Sequence, residues 1–460
     1  MYYLVTGNPQ PLPVGRYQPI GPAVVHDTRP DLPLEPAPET LPVLCRPYQR
    51  LNAFRWAVPE VHACLGPPGQ PWVLLGSAPL DECGQPWPTL LESWANASVL
   101  MQVGWLMQVA RLWDPCVQEG VAQSLLDPQN LGVQGWHLKL FYLRPTPEAP
   151  ILCQLGHSWQ KLLHPDSPLS KVVEQMVEGS LLQAQALISV LEALVVATGR
   201  VTAIVGTTHP GNRANNEDTY LYDPQGRYGI VCDGMGGHEG GEVASALALT
   251  SLKEHLAYLC STLLTPLQMR QGLAEAIYRT NQQLVNRNRS ERRSRYQQMG
   301  TTVVAYCLTG ALLHITHVGD SRIYLIDRTH CQQLTVDDDI ANLEVSLAHT
   351  TTFESLSLSN SGALTQALGV TTNQSLLPTV QTFVLAEDCL LLLCSDGLCD
   401  GALVERSWRT MLRPLLEGAL TTQGILDLAL RELGHDNITF ILSRYTPCLT
   451  MPDRGSVAGL

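Results

Sequence analysis

The sequence predicts an α+β protein: an antiparallel β core with helices outside it in the second half, preceded by a separate, mainly helical region. Three observations carry this reading. Beyond residue 200, short β-branched runs outnumber helical stretches. Several follow one another with no helix between, which excludes a regular βαβ repeat. The composition also changes along the chain, with 18 of 32 prolines in 1–88 and eight of nine tryptophans in 1–159. Finally, 460 residues exceed what one hydrophobic core organises.

In chain order, 1–45 reads as extended, because Pro30, Pro33, Pro36, Pro38 and Pro42 prevent regular helix or sheet. Residues 72–75 read as a short strand, 90–113 as a helix on apolar spacing, and 137–143 as a second strand. The run 171–198 predicts one helix, with Gln185, Ser189 and Glu192 as a single polar stripe and Gly199 as its C-terminal cap. Strands are then expected at 201–205, 228–232, 301–308, 312–317, 322–326, 390–394 and 437–442. Helices are expected at 241–257, 267–287, 407–416 and 425–433. The resulting division is a regulatory or docking region 1–199, a β-rich domain 200–445 and a flexible tail 446–460.

Charge and composition exclude several classes. The net charge is −13, and residues 1–200 carry 11 basic and 16 acidic groups against 18 and 26 in the remainder. Neither part is a basic field, so nucleic acid is not an expected partner. Thirteen cysteines stand singly with no C-x-x-C pair, which argues for free thiols rather than a disulfide scaffold or a zinc ribbon. The first residues have no basic or apolar leader pattern. The apolar stretch 181–198 is interrupted by Gln183, Gln185, Ser189 and Glu192. No membrane insertion is therefore expected, and the expected location is the cytoplasm.

The informative feature is where the carboxylates fall. Aspartates follow or precede β runs in five turns: Glu217-Asp218, Asp233-Gly234, Asp320 after Gly319, Asp396-Gly397 and Asp436-Asn437. A single Asp-Gly is ordinarily a turn starter. Five such turns in one β-rich segment point instead to carboxylates converging on hard cations, since an Asp after a buried strand is costly to bury unpaired.

These turns sit inside longer strings: Gly211-Asn-Arg-Ala-Asn-Asn-Glu-Asp218, Asp233-Gly-Met-Gly-Gly-His238, Met299-Gly-Thr-Thr302, His317-Val-Gly-Asp-Ser-Arg322, Gly362-Ala-Leu-Thr-Gln-Ala-Leu-Gly369, Ser395-Asp-Gly-Leu398 and Asp436-Asn-Ile-Thr439. In this order, over 201–445, they resemble the bacterial form of the PP2C (PPM) metal-dependent protein phosphatases. The resemblance implies a sandwich of two antiparallel sheets with helices on both outer faces. It implies two ions, Mn²⁺ or Mg²⁺, bridged by Asp233. Asp396 and Asp436 would complete the first ion, and Glu217 and the carbonyl of Gly234 would serve the second. Asp218 would be a supporting carboxylate and Asn437 a structural support. Asp320 with Asp396 would hold a third, weaker ion.

The implied chemistry is hydrolysis of phosphoserine and phosphothreonine in proteins by a metal-activated water, with no covalent phosphoenzyme. A phosphoester near dianionic charge repels anionic nucleophiles, and two cations about 3.5–4 Å apart relieve that repulsion. Arg213 stands where the family grips the phosphate, and a guanidinium fork suits two phosphoryl oxygens. His238 is a candidate for substrate contact. Cys232 sits on a strand and reads as a structural thiol rather than a nucleophile. Met235 stands where eukaryotic members carry a histidine and cannot deliver a proton.

One departure stands out. Where the family has Asp-His-Ser followed by a flap near the substrate, this chain reads Val336-Asp-Asp-Asp-Ile-Ala341, followed by Ser- and Thr-rich sequence up to Gly362.

Residues 1–199 faintly resemble a protein kinase stripped of its catalytic parts. The helix and loop at 105–133 have the right shape, but Leu125 occupies the base position and no lysine precedes Lys139. A cognate kinase is accordingly one expected partner of this region, phosphorylated proteins being the partner of the other. The alternative to an active enzyme is a catalytically silent scaffold that binds phosphoproteins or recruits a kinase.

Overall fold

Runs such as Cys389–Cys394, apolar at every position, suit only strands covered on both faces, and the second half of the chain is built from them. The computed structural model describes residues 1–7, 15–30, 32, 41–65, 71–146, 148–195, 198–236, 240–294 and 297–448. Its contacts divide into two units. The first comprises Met1–Glu192 with Val318–Asp320 and Gln332–Ala367; the second comprises Ala193–His317, Ser321–Cys331 and Leu368–Leu460.

The second unit stacks two five-stranded sheets. One has the strand order Thr379–Val384, Leu312–Val318, Val303–Thr309, Tyr228–Cys232, Thr219–Tyr222. The other runs Cys331–Gln333, Arg322–Ile326, Cys389–Cys394, Ile438–Cys448, Thr198–His209. The Tyr306 hydroxyl, 3.2 Å from Ser443 Oγ, links the two inner faces. The helices Gly240–Ser261 and Pro266–Ser290 cover the first sheet. The helices Leu403–Met411 and Gln423–Glu432 cover the second, where Trp408, Ile425 and Ala429 pack on Leu390, Leu392 and Phe440. This is the expected sandwich of antiparallel sheets with helices on both outer faces.

The first unit has its own antiparallel sheet, ordered Tyr17–Pro19, Val24–Asp27, Tyr2–Gly7, Trp72–Gly76, Glu60–Leu65. Its apolar face gathers Tyr3, Val5, Val25, Leu65, Trp72 and Leu74. The helix Val99–Gln118 starts at Ser98, whose side chain accepts the N–H of Met101. Gln108 on this helix donates to the Trp136 carbonyl and accepts from Leu138 N–H, pinning the hairpin Leu131–Gln134/His137–Leu140.

Several expectations are corrected. The segment 1–45 contains three strands, Tyr2–Gly7, Tyr17–Pro19 and Val24–Asp27, because its prolines lie outside them except Pro19, which stands at the end of a strand. The helix expected at 90–113 is two helices, Leu90–Ser93 and Val99–Gln118, separated by the Ser98 cap. The run 171–198 is also broken, into Ser170–Val177 and Ala184–Ala193. Gly179 takes φ +73° there and ends the first helix, a turn that the continuous apolar pattern concealed. Gly199 is not a cap but lies inside the strand Thr198–His209, where a Cβ would collide with the Tyr445 hydroxyl. Residues 446–448 are not tail, since they pair with Arg200, Gly199 and Thr198. Residues 449–460 lie outside the described residues. All thirteen cysteines are free thiols. Among the described residues no helix is long and apolar enough to cross a membrane.

Candidate metal centre

Four loops of the second unit converge because glycines let their backbones cross. At Gly211, φ is +60° and a Cβ would lie 2.0 Å from the Asp436 carbonyl oxygen. At Gly397, a Cβ would lie 1.9 Å from the Asn437 carbonyl oxygen. No other residue type fits either crossing without moving the backbone. The loops therefore meet at fixed points, and their carboxylates follow.

Asn437 ties the loops together. Its Oδ1 accepts the Glu217 N–H at 2.8 Å, and its Nδ2 donates to the carbonyls of Pro210 and Asn215 at 2.9 and 3.0 Å. Its own N–H donates to Asp436 Oδ1 at 2.8 Å. The family resemblance implies a structural support at this residue. The Glu217 carbonyl accepts from Gly234 N–H and from Ser245 Oγ. The Glu217 carboxylate lies at the first turn of the helix Gly240–Ser261, where a Cβ on Gly241 would touch it. Burial raises the Glu217 carboxyl above its ordinary value, and the Gly241 N–H and the Arg213 charge oppose the rise.

Asp233 follows the buried strand Tyr228–Cys232, and its carbonyl accepts from Thr302 N–H and Thr301 Oγ1, both at 2.8 Å. Its carboxylate reaches both Asp218 and Asp396. Burial pushes Asp218 up to about 6, against hydrogen bonds from Ser395 and Thr439. Burial likewise raises Asp396, with further repulsion from Asp400 and Asp436. Ser395 Oγ donates to Asp218 Oδ2 at 2.8 Å. Asp218 Oδ1 and Asp396 Oδ1, however, are buried with no hydrogen-bond partner among the described residues.

Those two oxygens are the test of whether a cation fits. Carboxylates this close cannot all be ionised without a counter-charge, and a buried acceptor with no donor is costly. A hard divalent cation supplies both the charge and the missing partner. As placed, the side chains do not form a closed set of three or more metal donors among the described residues. One reason is visible: Arg213 Nη2 donates to Asp436 Oδ2 at 2.6 Å, and its Nε donates to the His435 carbonyl at 3.2 Å. Asp436 is thereby engaged by a guanidinium.

The remaining candidates separate. Gly234 is buried directly after Asp233, and the short strand it opens pairs Gly234 with Thr301. Asp320, in the turn after Leu312–Val318, groups by its contacts with the first unit. His238 lies outside the described residues. His317 is buried in a strand. Cys232 is fully buried, and burial pushes its thiol far above the ordinary value, as a structural thiol requires. Sequence reasoning did not assign roles to Thr301, Thr302, Ser395 and Thr439, the hydroxyl residues that hold the acidic loops. They stand inside or beside the matched strings, but nothing in their spacing announces a hydrogen bond.

The chain is similar to known proteins. The family profile described as Protein phosphatase 2C matches residues 205–433. A putative protein phosphatase 2C-type protein of Streptococcus pyogenes is 32% identical over 234 residues, 50% of this chain and 92% of that protein. Protein phosphatase PhpP of Streptococcus pneumoniae is 29% identical over 239 residues, covering 51% and 94%. The crystal structure of the Mycobacterium tuberculosis phosphatase PstP/Ppp aligns with a TM-score of 0.45 at 28% identity, over 52% of this chain and 97% of that one.

Proposed function

Because this chain belongs to the protein phosphatase 2C family, we propose that it hydrolyses phosphoserine and phosphothreonine esters in proteins with the help of Mn²⁺ or Mg²⁺. The observation that carries this is the pair of buried, partnerless oxygens of Asp218 and Asp396 beside Asp233. Asp233, Asp396 and Asp436 would hold one ion, and Glu217 and the Gly234 carbonyl a second. Asp218 would support them, and the family resemblance implies a third ion served by Asp320 and Asp396. When bound, the ions neutralise the phosphoryl charge and lower the pKa of the attacking water.

The chain's own residues do the rest. Arg213 lies on the exposed side of the carboxylates, able to exchange its Asp436 contact for phosphoryl oxygens. Asn437 and Glu217 keep the 210–218 loop seated while that exchange occurs. No protein thiol or hydroxyl needs to attack phosphorus. Free thiols and the absence of a membrane-crossing helix among the described residues support a place in the cytoplasm. The first 199 residues serve as the regulatory or docking region, with a cognate kinase as one partner.

The test is hydrolysis of a phosphothreonine peptide by the full chain with Mn²⁺ and with EDTA. Turnover that requires the metal is expected. Peptide binding without turnover, with Mn²⁺ shown to be bound, would overturn the enzymatic reading in favour of a phosphoprotein-binding scaffold.

A further inference from the structure

The segment Gln332–Ala367 is interposed in sequence between strands of the second unit, yet its contacts place it in the first. We propose that Gln49, Asn52 and Arg55 are positioning residues for the phosphatase reaction, acting by holding this segment. The proposal rests on the functional reading above.

The hold is specific. Asn342, on the helix Ile340–Ser346, accepts at Oδ1 from Asn52 Nδ2 and from Arg55 Nη1, both at 3.2 Å. Buried Gln49 donates from Nε2 to the Thr350 carbonyl at 2.6 Å. The Phe353 ring stands edge-on to His62, with centroids 5.6 Å apart. The departure seen at 336–341 also finds its reason here. Asp337 accepts from Gln333 Nε2, Asp338 accepts the Gly319 N–H, and Asp339 caps the helix by accepting the Asn342 N–H. Each acidic residue of the triplet builds the segment.

Both ends of the segment run into acidic loops. Asp338 exchanges two hydrogen bonds with Gly319, the residue before Asp320. At the other end, Ala367 continues into Leu368, which exchanges two backbone hydrogen bonds with Thr301 at 3.0 and 2.9 Å. Thr301 Oγ1 in turn donates to the Asp233 carbonyl. A shift of the segment is thus delivered by covalent continuity and three hydrogen bonds to the backbone of Asp233. Because this path ends on the backbone of Asp233, it predicts an effect on kcat with KM preserved.

The experiment uses the full chain carrying Gln49→Met, Asn52→Ala and Arg55→Met together. Amide hydrogen exchange of 340–356 should rise at least tenfold, with the helix Gly240–Ser261 unchanged. With saturating Mn²⁺, kcat on a phosphothreonine peptide should fall at least fivefold, with KM within twofold. Keeping a donor with Arg55→Lys in place of Arg55→Met should recover at least half of the lost kcat. Should the triple variant fail to fold, Asn342→Leu removes the acceptor from the segment side and should give the same pattern. Unchanged exchange, or faster exchange with kcat within twofold, overturns the proposal. Wild-type protein without turnover would instead sink the phosphatase reading. The same variants would then be read by Mn²⁺ titration, where an unaltered affinity overturns the positioning role.

Discussion

Asp27 in the first unit and Asp218 in the second are both buried, and they are treated in opposite ways. Asp27, in the first unit, receives Arg16 through Nε and Nη2 at 3.1 and 2.9 Å and the Arg29 N–H at 2.9 Å. Burial alone would raise its carboxyl, but these donors outweigh burial and hold it below the ordinary value. Asp218, in the second unit, has hydroxyl partners on one oxygen, none on the other, and other carboxylates for neighbours. The first arrangement is complete within the protein, which marks it as architecture. The second is not completed by the protein's own groups, which is the ground on which it is proposed as the metal site.

The sharpest way to break this contrast is Asp233→Ala. Asp233 touches both raised carboxylates, so its loss should take turnover down to the level measured in EDTA. A variant that keeps wild-type turnover would remove the site assignment.

Asp27→Ala should leave Mn²⁺ binding intact but strip Arg16 of its partner, costing about 3 kcal/mol of stability by denaturant unfolding. A loss of Mn²⁺ affinity instead would erase the distinction between the two aspartates.

Their pH responses should have opposite sign. Asp27 is depressed, so its contribution is present above its unfolded pKa and is lost as pH falls through the lower folded value. Asp218 is raised to about 6, so its contribution is present below its unfolded pKa and is lost as pH rises through 6. The metal-free protein should therefore lose roughly 2–3 kcal/mol between about pH 4 and 7 through Asp218, and Asp218→Asn should flatten that slope. Equal slopes in the two proteins would show that Asp218 is not the group that titrates.

The smallest effect is expected for Arg213→Ala, a roughly tenfold rise in KM for phosphopeptide from one lost charge-assisted contact. An unchanged KM would confine Arg213 to its pairing with Asp436.

Much of this was readable from the chain. The carboxylates announced themselves because each follows or precedes an apolar run, and strand identity is local information. The apolar run Cys389–Cys394 needed no tertiary context either. The break at Gly179 was hidden because residues on both sides share one apolar pattern, and a single glycine in such a run does not reveal its φ. The partner of 332–367 was hidden for a different reason. Asn52 and Asn342 are separated by 290 positions, and no local pattern records a contact of that range. The same holds for Ser395 and Thr439, whose importance lies in which carboxylate they face.

The pairing of Thr198–His209 with Ile438–Cys448 has a consequence for how the molecule is made. The two strands lie far apart in sequence, so this edge of the sheet forms only through a long-range contact. Asp436 and Asn437 immediately precede that closing strand, and Asn437 is what seats the loop of Glu217. Order at the carboxylates is therefore tied to the pairing of two strands far apart in sequence, rather than to any local stretch of the chain.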